Sequence, residues 1–158
     1  MGAASIFTGG NMETMLRVAF SYLGVPYIWG GHSREGLDCS GFAQLVLASV
    51  GLDPKGDQTA QALFQALQTH TSPAQFAEGG DLLFFGTEAK LNQPEHITHV
   101  AIAIDSWRMI EAGGGDRSCV TVPQARSRGA EVRVRPISDR SDFLHIIRLK
   151  VRGIDQTR

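Results

Sequence analysis

The hydrophobic period changes once along this chain, and the change restricts the fold more than any other feature. Up to residue 67 apolar residues recur at helical spacing; from residue 79 onward they gather in short runs bounded by turn residues. Helices first and strands after predict an α+β domain, with N-terminal helices packed on a central antiparallel sheet. No internal repeat or linker interrupts residues 1–158, which read as one domain preceded by a flexible segment over residues 1–10.

Three helices are expected. Met12, Met15, Leu16, Ala19 and Leu23 line one face of a helix over residues 11–23, with Asn11 as N-cap. Gly24 can end it in a left-handed conformation, and Pro26 blocks its continuation. A second helix follows Cys39, with Phe42, Leu45, Val46 and Val50 inward and Gly51 at its end. A third, capped by Asp57, buries Ala60, Leu63, Phe64 and Leu67. Strands are expected in "GGDLLFF", in residues 99–104 and 108–112 as a hairpin, and in "CVTV", "VRVRPI" and "FLHIIRL". The basic run from Arg126 to Arg135 reads as a solvated strand or loop.

Composition removes several function classes. The formal net charge is −1, without the basic excess of a nucleic-acid-binding protein. No apolar run is long enough to cross a membrane as a helix. The start, "MGAASIFTGG", lacks the basic and apolar regions of a signal peptide. The chain is therefore expected to be cytosolic, exported by another route, or shorn of a leader. Two cysteines, Cys39 and Cys119, are too few for a disulfide framework.

The stretch "GLDCSGF" carries the first chemical signal. Cys39 sits where a glycine-rich turn enters an amphipathic helix. Free N–H groups at a helix N-terminus stabilise a thiolate, and they can also stabilise an oxyanion on a substrate carbonyl. An isolated cysteine at such a place is equally a small buried hydrophobe, so placement alone leaves both readings open. A nucleophilic cysteine needs a base. Of five histidines, His99 fits best, because it opens a clean apolar strand. His32 and His70 lie in polar loops, and His145 within a late strand as a core or edge residue. His96 and His99 form an H-x-x-H pattern, but strand residues three apart face opposite ways and no metal is expected. Glu111, in "RMIEAGGG", is the candidate to orient the ring. A three-residue loop in the 99–112 hairpin is expected to set Glu111 directly opposite His99; a two-residue loop loses the pairing. The competing reading makes Glu111 a solvated charge on the outer face.

Several blocks, in order and at the right spacing, resemble the NlpC/P60 family of cell-wall peptidases. They are "LGVPYIWGG", "DCSGF", "GGDLLFF", "HVAIAI" and "MIEAGGG". The resemblance implies a papain-like α+β fold, with Cys39 as nucleophile and His99 as general base. It implies that Tyr27 lies beside the oxyanion and that Asp38 and Ser40 line the substrate site. The implied reaction is thioester-mediated hydrolysis of a peptidoglycan stem-peptide amide, commonly between γ-D-glutamyl and a diamino acid. No cofactor is expected. One position departs from the pattern: the family's third catalytic residue is most often His, otherwise Asn or Gln, where this chain has Glu111. The usual fused wall-binding module is also absent from the sequence, as in peptidases of phage tails or gene-transfer particles. Other readings are an amidase or acyltransferase on another substrate, a non-catalytic tail or binding component, and a redox pair of Cys39 and Cys119.

Overall fold

A computed structural model of the chain describes residues 9–68 and 74–149. His70 and residues 1–8 of the expected N-terminal segment lie outside the described residues; Gly9 and Gly10 already belong to the first helix.

The first helix, α1, spans Gly9–Ser21, two residues ahead of its expected position. Asn11 is thus inside the helix and not its cap. Met15 and Ala19 are buried as their spacing requires, whereas Leu23 falls in the following turn and is exposed. Gly24 turns the chain with φ at 84° and donates its N–H to Val132 O across the molecule. A short hairpin follows, β1 (His32–Ser33) and β2 (Gly36–Leu37). The second helix, α2, runs Cys39–Ala48 and is buried along most of its length. The third, α3 (Ala60–Leu67), buries the four predicted residues, but Thr59 caps it through a 3.1 Å bond from Ala62 N, not Asp57.

Five antiparallel strands form the sheet: β3 (Leu82–Thr87), β4 (His96–Ala103), β5 (Arg108–Gly113), β6 (Glu131–Pro136) and β7 (Phe143–Ile147). Their order is β6-β5-β4-β3-β7, so four consecutive strands meander and the last returns beside the first. Helix α2 packs on β4 and β5, α3 on β4, and α1 on α2. Phe42, Val46, Leu63, Phe84, Val100, Ile102 and Ile110 fill the core between helices and sheet. A smaller cluster around Leu83, Phe85, Ala101 and Met109 covers the opposite face.

"CVTV" is not a strand. Cys119 is buried in a turn, and Thr121 caps a helix, α4 (Val122–Arg128). Its capping box pairs Thr121 with Gln124, Pro123 sits in the first turn, and Gly129 closes it with φ at 62°. These local signals outweigh the β-branched composition of a run too short to pair. Among the described residues, no helix is long and apolar enough to cross a membrane.

Candidate active site

The site begins at the N-terminus of α2. Asp38 is extended (φ −89°, ψ −179°) and caps the helix. Its carboxylate accepts from Gly41 N at 2.7 Å, Gly30 N at 3.0 Å and Ser40 Oγ at 3.2 Å. Burial pushes the Asp38 carboxyl above its ordinary range, and these donors offset part of the rise. The glycines have a steric cause. A Cβ on Gly41 would lie 2.1 Å from Gly31 O, and one on Gly31 would lie 2.4 Å from Gly36 O. Close backbone approach thus clamps the turn on the helix start and presents Cys39, 9% exposed, to a cleft of about 630 Å³.

His99 comes from β4, which starts at His96, so His99 is the fourth residue of its strand and not the first. A bulge aims it. Phe85 pairs with His99 but Gly86 with Ile97, leaving Thr98 as the extra residue. Gly86 is required there, because a Cβ would lie 2.0 Å from His96 O. His99 is 8% exposed, His96 is exposed, and His99 packs 5.7 Å from the Phe85 ring. Its ring meets Glu111 Oε2 through Nε2, and it shares the wall of the cleft with Cys39, whose side chain helps to raise it. Burial disfavours the imidazolium, but the bonds and charges of Cys39 and Glu111 outweigh it and raise His99 to about 9.

Glu111 reaches the ring by a different route from the one expected. The hairpin does turn through three residues, with Ile104 N bonded to Arg108 O at 2.9 Å. The register pairs Ile102 with Ile110 and Ala103 with Met109. By the same count Glu111 falls opposite Ala101, and Gly113 opposite His99. Glu111 therefore lies diagonally from His99 on the same face, within reach of a long side chain. Its carboxylate extends over Gly113, where a Cβ would lie 2.8 Å from Glu111 Cδ. The missing side chain of Gly113 is what lets the carboxylate reach the ring.

Glu111 is wholly buried, not solvated. The strand β6 also departs from its solvated reading: Arg135 Nη1 donates to Glu111 Oε1 at 3.2 Å, and Arg133 Nε faces the same oxygen at 3.6 Å. Burial raises the Glu111 carboxyl, but His99, Arg133 and Arg135 pull it down to about 2. These arginines escaped the sequence reading, although an R-x-R pair on one face of a strand was a signal. Gln61 escaped it too; its Oε1 accepts from Ile97 N at 2.6 Å and ties α3 to the bulged start of β4.

The remaining candidates divide. Tyr27, Asp38 and Ser40 line the cleft with Cys39 and His99. Burial, then the neighbouring Cys39 and Asp38, push the Tyr27 hydroxyl far up, so it stays a donor. Gly115 packs flat on its ring, where a Cβ would lie 2.2 Å from Cδ1. Trp29, Arg117 and Arg140 also line the cleft and were not foreseen. Cys119 is free, as is Cys39; it is buried and donates from Sγ to Tyr27 O at 3.3 Å. No disulfide joins the two cysteines in this structure. His145 meets Glu95 Oε1 at 2.6 Å and stacks on Phe64, which makes it a structural residue. His32 is exposed.

Comparison with known proteins agrees with the architecture. Peptidoglycan endopeptidase RipB of Mycobacterium tuberculosis is 35% identical over 134 residues, covering 75% of this chain and 49% of that protein. The bifunctional muramidase/DL-endopeptidase CwlT of Bacillus subtilis is 38% identical over 101 residues, covering 63% of this chain and 29% of its own. The chain thus spans less than half the length of these curated relatives. Among solved structures, that of the peptidoglycan hydrolase RipB from M. tuberculosis superposes with a TM-score of 0.63 at 26% identity, covering 89% of this chain and 66% of that one. The NlpC/p60 domain of peptidoglycan hydrolase SagA gives 0.60 at 27%, covering 87% and 98%. The NlpC/P60 family profile matches residues 24–135, more than half of the chain and every residue from the Gly24 turn to Arg135, so the chain belongs to the NlpC/P60 family.

Proposed function

We propose that this chain is a cysteine peptidase that hydrolyses an amide of peptidoglycan stem peptides, between a γ-D-glutamyl residue and a diamino acid. The observation that carries the proposal is the convergence of Cys39 and His99 on the wall of one open cleft, with the His99 ring bonded to the buried Glu111. The substrate class draws support from relatives named for it, among them the γ-D-glutamyl-L-lysine dipeptidyl-peptidase of B. subtilis, 32% identical over 103 residues.

In this reading the Cys39 thiolate attacks the scissile carbonyl carbon. The Cys39 N–H at the start of α2 and the Tyr27 hydroxyl stabilise the resulting oxyanion. With Nε2 held by Glu111, Nδ1 of His99 is the nitrogen left to serve Cys39 and the leaving amine. The ring protonates that amine as the C–N bond breaks, leaving a thioester on Sγ. The now neutral ring takes a proton from water, the hydroxide attacks the thioester, and the acid is released with Cys39 restored as thiolate beside an imidazolium. Asp38 and Ser40, which flank Cys39 in the lining of the cleft, suit the free amine of an N-terminal residue.

The test is digestion of purified peptidoglycan and free stem peptides by wild type and Cys39→Ala, read by mass spectrometry. A new γ-D-glutamyl C-terminus that disappears in the variant is expected. Equal products from both proteins, or none from either, would refute the assignment.

A further inference from the structure

The path just described leaves one problem, which belongs to Glu111. While His99 is protonated, the carboxylate has an imidazolium partner. Once the ring gives its proton away, a wholly buried carboxylate would face a neutral ring, and burial favours its protonation. A proton moving from ring to carboxylate would leave Glu111 unable to accept the Nε2–H bond that orients His99. Something must hold the negative charge through both states.

We propose that Arg133 and Arg135 are positioning residues, a standing counter-charge that keeps Glu111 anionic and aimed at His99 while the ring gains and loses its proton. The proposal rests on the proposed peptidase reading and deepens it. The geometry is specific. Glu111 divides its two oxygens, Oε2 to His99 and Oε1 to the arginines. Glu111 and Arg133 are cross-strand partners, so the pairing of β5 with β6 places the charge. Arg133 Nε is buried with no hydrogen-bond partner among the described residues, yet it faces Oε1 at 3.6 Å. Its contribution is charge, not a hydrogen bond. Arg135 is fixed from its far side by Asp139 at 3.3 Å. The other titratable or charged groups near the ring are Cys39 on α2, Asp142 before β7, and Arg140, which is paired with Asp142 and lies over the Phe85 ring.

The sign of the effect separates a counter-charge from a mere structural support. With one arginine left to keep Glu111 anionic, removing the other leaves the carboxylate more negative toward the ring, and His99 must hold its proton more tightly. If the arginines only kept Glu111 in position, their loss would release the carboxylate and His99 would hold its proton less tightly.

The experiment is NMR titration of the His99 ring in the full chain: wild type, Arg135→Met, Arg133→Met and Arg135→Lys. Methionine keeps the length of the stem on an edge strand where both side chains are partly exposed, 27% and 28%. The Met variants are expected to titrate higher than wild type by about one pH unit, and the Lys variant close to wild type. No shift, a downward shift, or a Lys variant that behaves like Met would overturn the proposal. Should one Met variant fail to fold, the other reads the same sign. The titration needs no substrate. A wild type that cuts no peptidoglycan while the ring moves upward refutes the peptidase reading alone; cleavage with an unmoved ring refutes the counter-charge alone.

Discussion

Replacing Glu111 with Gln tests the centre of the site by stability as a function of pH. His99 is raised from 6.5 to about 9, so its interactions stabilise the fold fully below pH 6.5 and are lost as pH rises through about 9. Glu111 is lowered from 4.5 to about 2, so its contribution is full above pH 4.5 and is lost as pH falls through about 2. The two statements largely describe one interaction seen from each partner and are counted once. Cys39 shares in raising His99, so loss of the carboxylate is expected to lower the ring by about two pH units, on the order of 3 kcal/mol. The variant also leaves Arg133 and Arg135 facing a neutral amide. Urea unfolding at about pH 5.5 should show wild type more stable by ~3 kcal/mol, and at about pH 10 the difference should shrink to the residual from the arginine pairs. An equal difference at both pH values would refute the reasoning, because a pH-independent loss is a packing effect and not an ion pair.

Three further changes probe separate parts of the site. Gly113→Ala puts a Cβ where the Glu111 carboxylate lies, 2.8 Å from Cδ, without a positive-φ penalty. It should reduce kcat/KM by about 10²-fold and, because it displaces the buried carboxylate from the His99 ring, lower Tm by several degrees, measured by stem-peptide hydrolysis and thermal unfolding. Asp38→Ala removes the acceptor for Gly41 N, Gly30 N and Ser40 Oγ and should cost at least ~1–2 kcal/mol in chemical unfolding. Asp38→Asn should keep most of that stability, and a raised KM in this variant would assign the charge to substrate binding. Iodoacetamide should label Cys39 in the cleft and spare Cys119 in the native protein, read by peptide mass mapping; equal labelling would contradict the burial of Cys119.

Much of this site was legible before any coordinates, and the pattern of successes has a local cause. The start of α2 at Cys39 and the burial of Phe42 and Val46 follow from interactions within a few residues of one another, whereas the capping role of Asp38 went unread. So does the burial of Ala60, Leu63, Phe64 and Leu67 on α3. The change of hydrophobic period near residue 79 was enough to specify helices followed by an antiparallel sheet. The same local logic, the Thr121–Gln124 capping box with Gly129 beyond it, was present for α4 and was outvoted by β-branched residues.

What tertiary structure alone decided is who meets whom across strands. The residues of the His99–Glu111 pair were readable, but the diagonal register, the Thr98 bulge and the space over Gly113 that unite them were not. Arg133 and Arg135 read as solvated charge until the pairing of β5 with β6 set them on a buried carboxylate. Period and capping are encoded within a few residues of chain, whereas register and bulges arise from the summed packing of both sheet faces, to which no single segment holds the information.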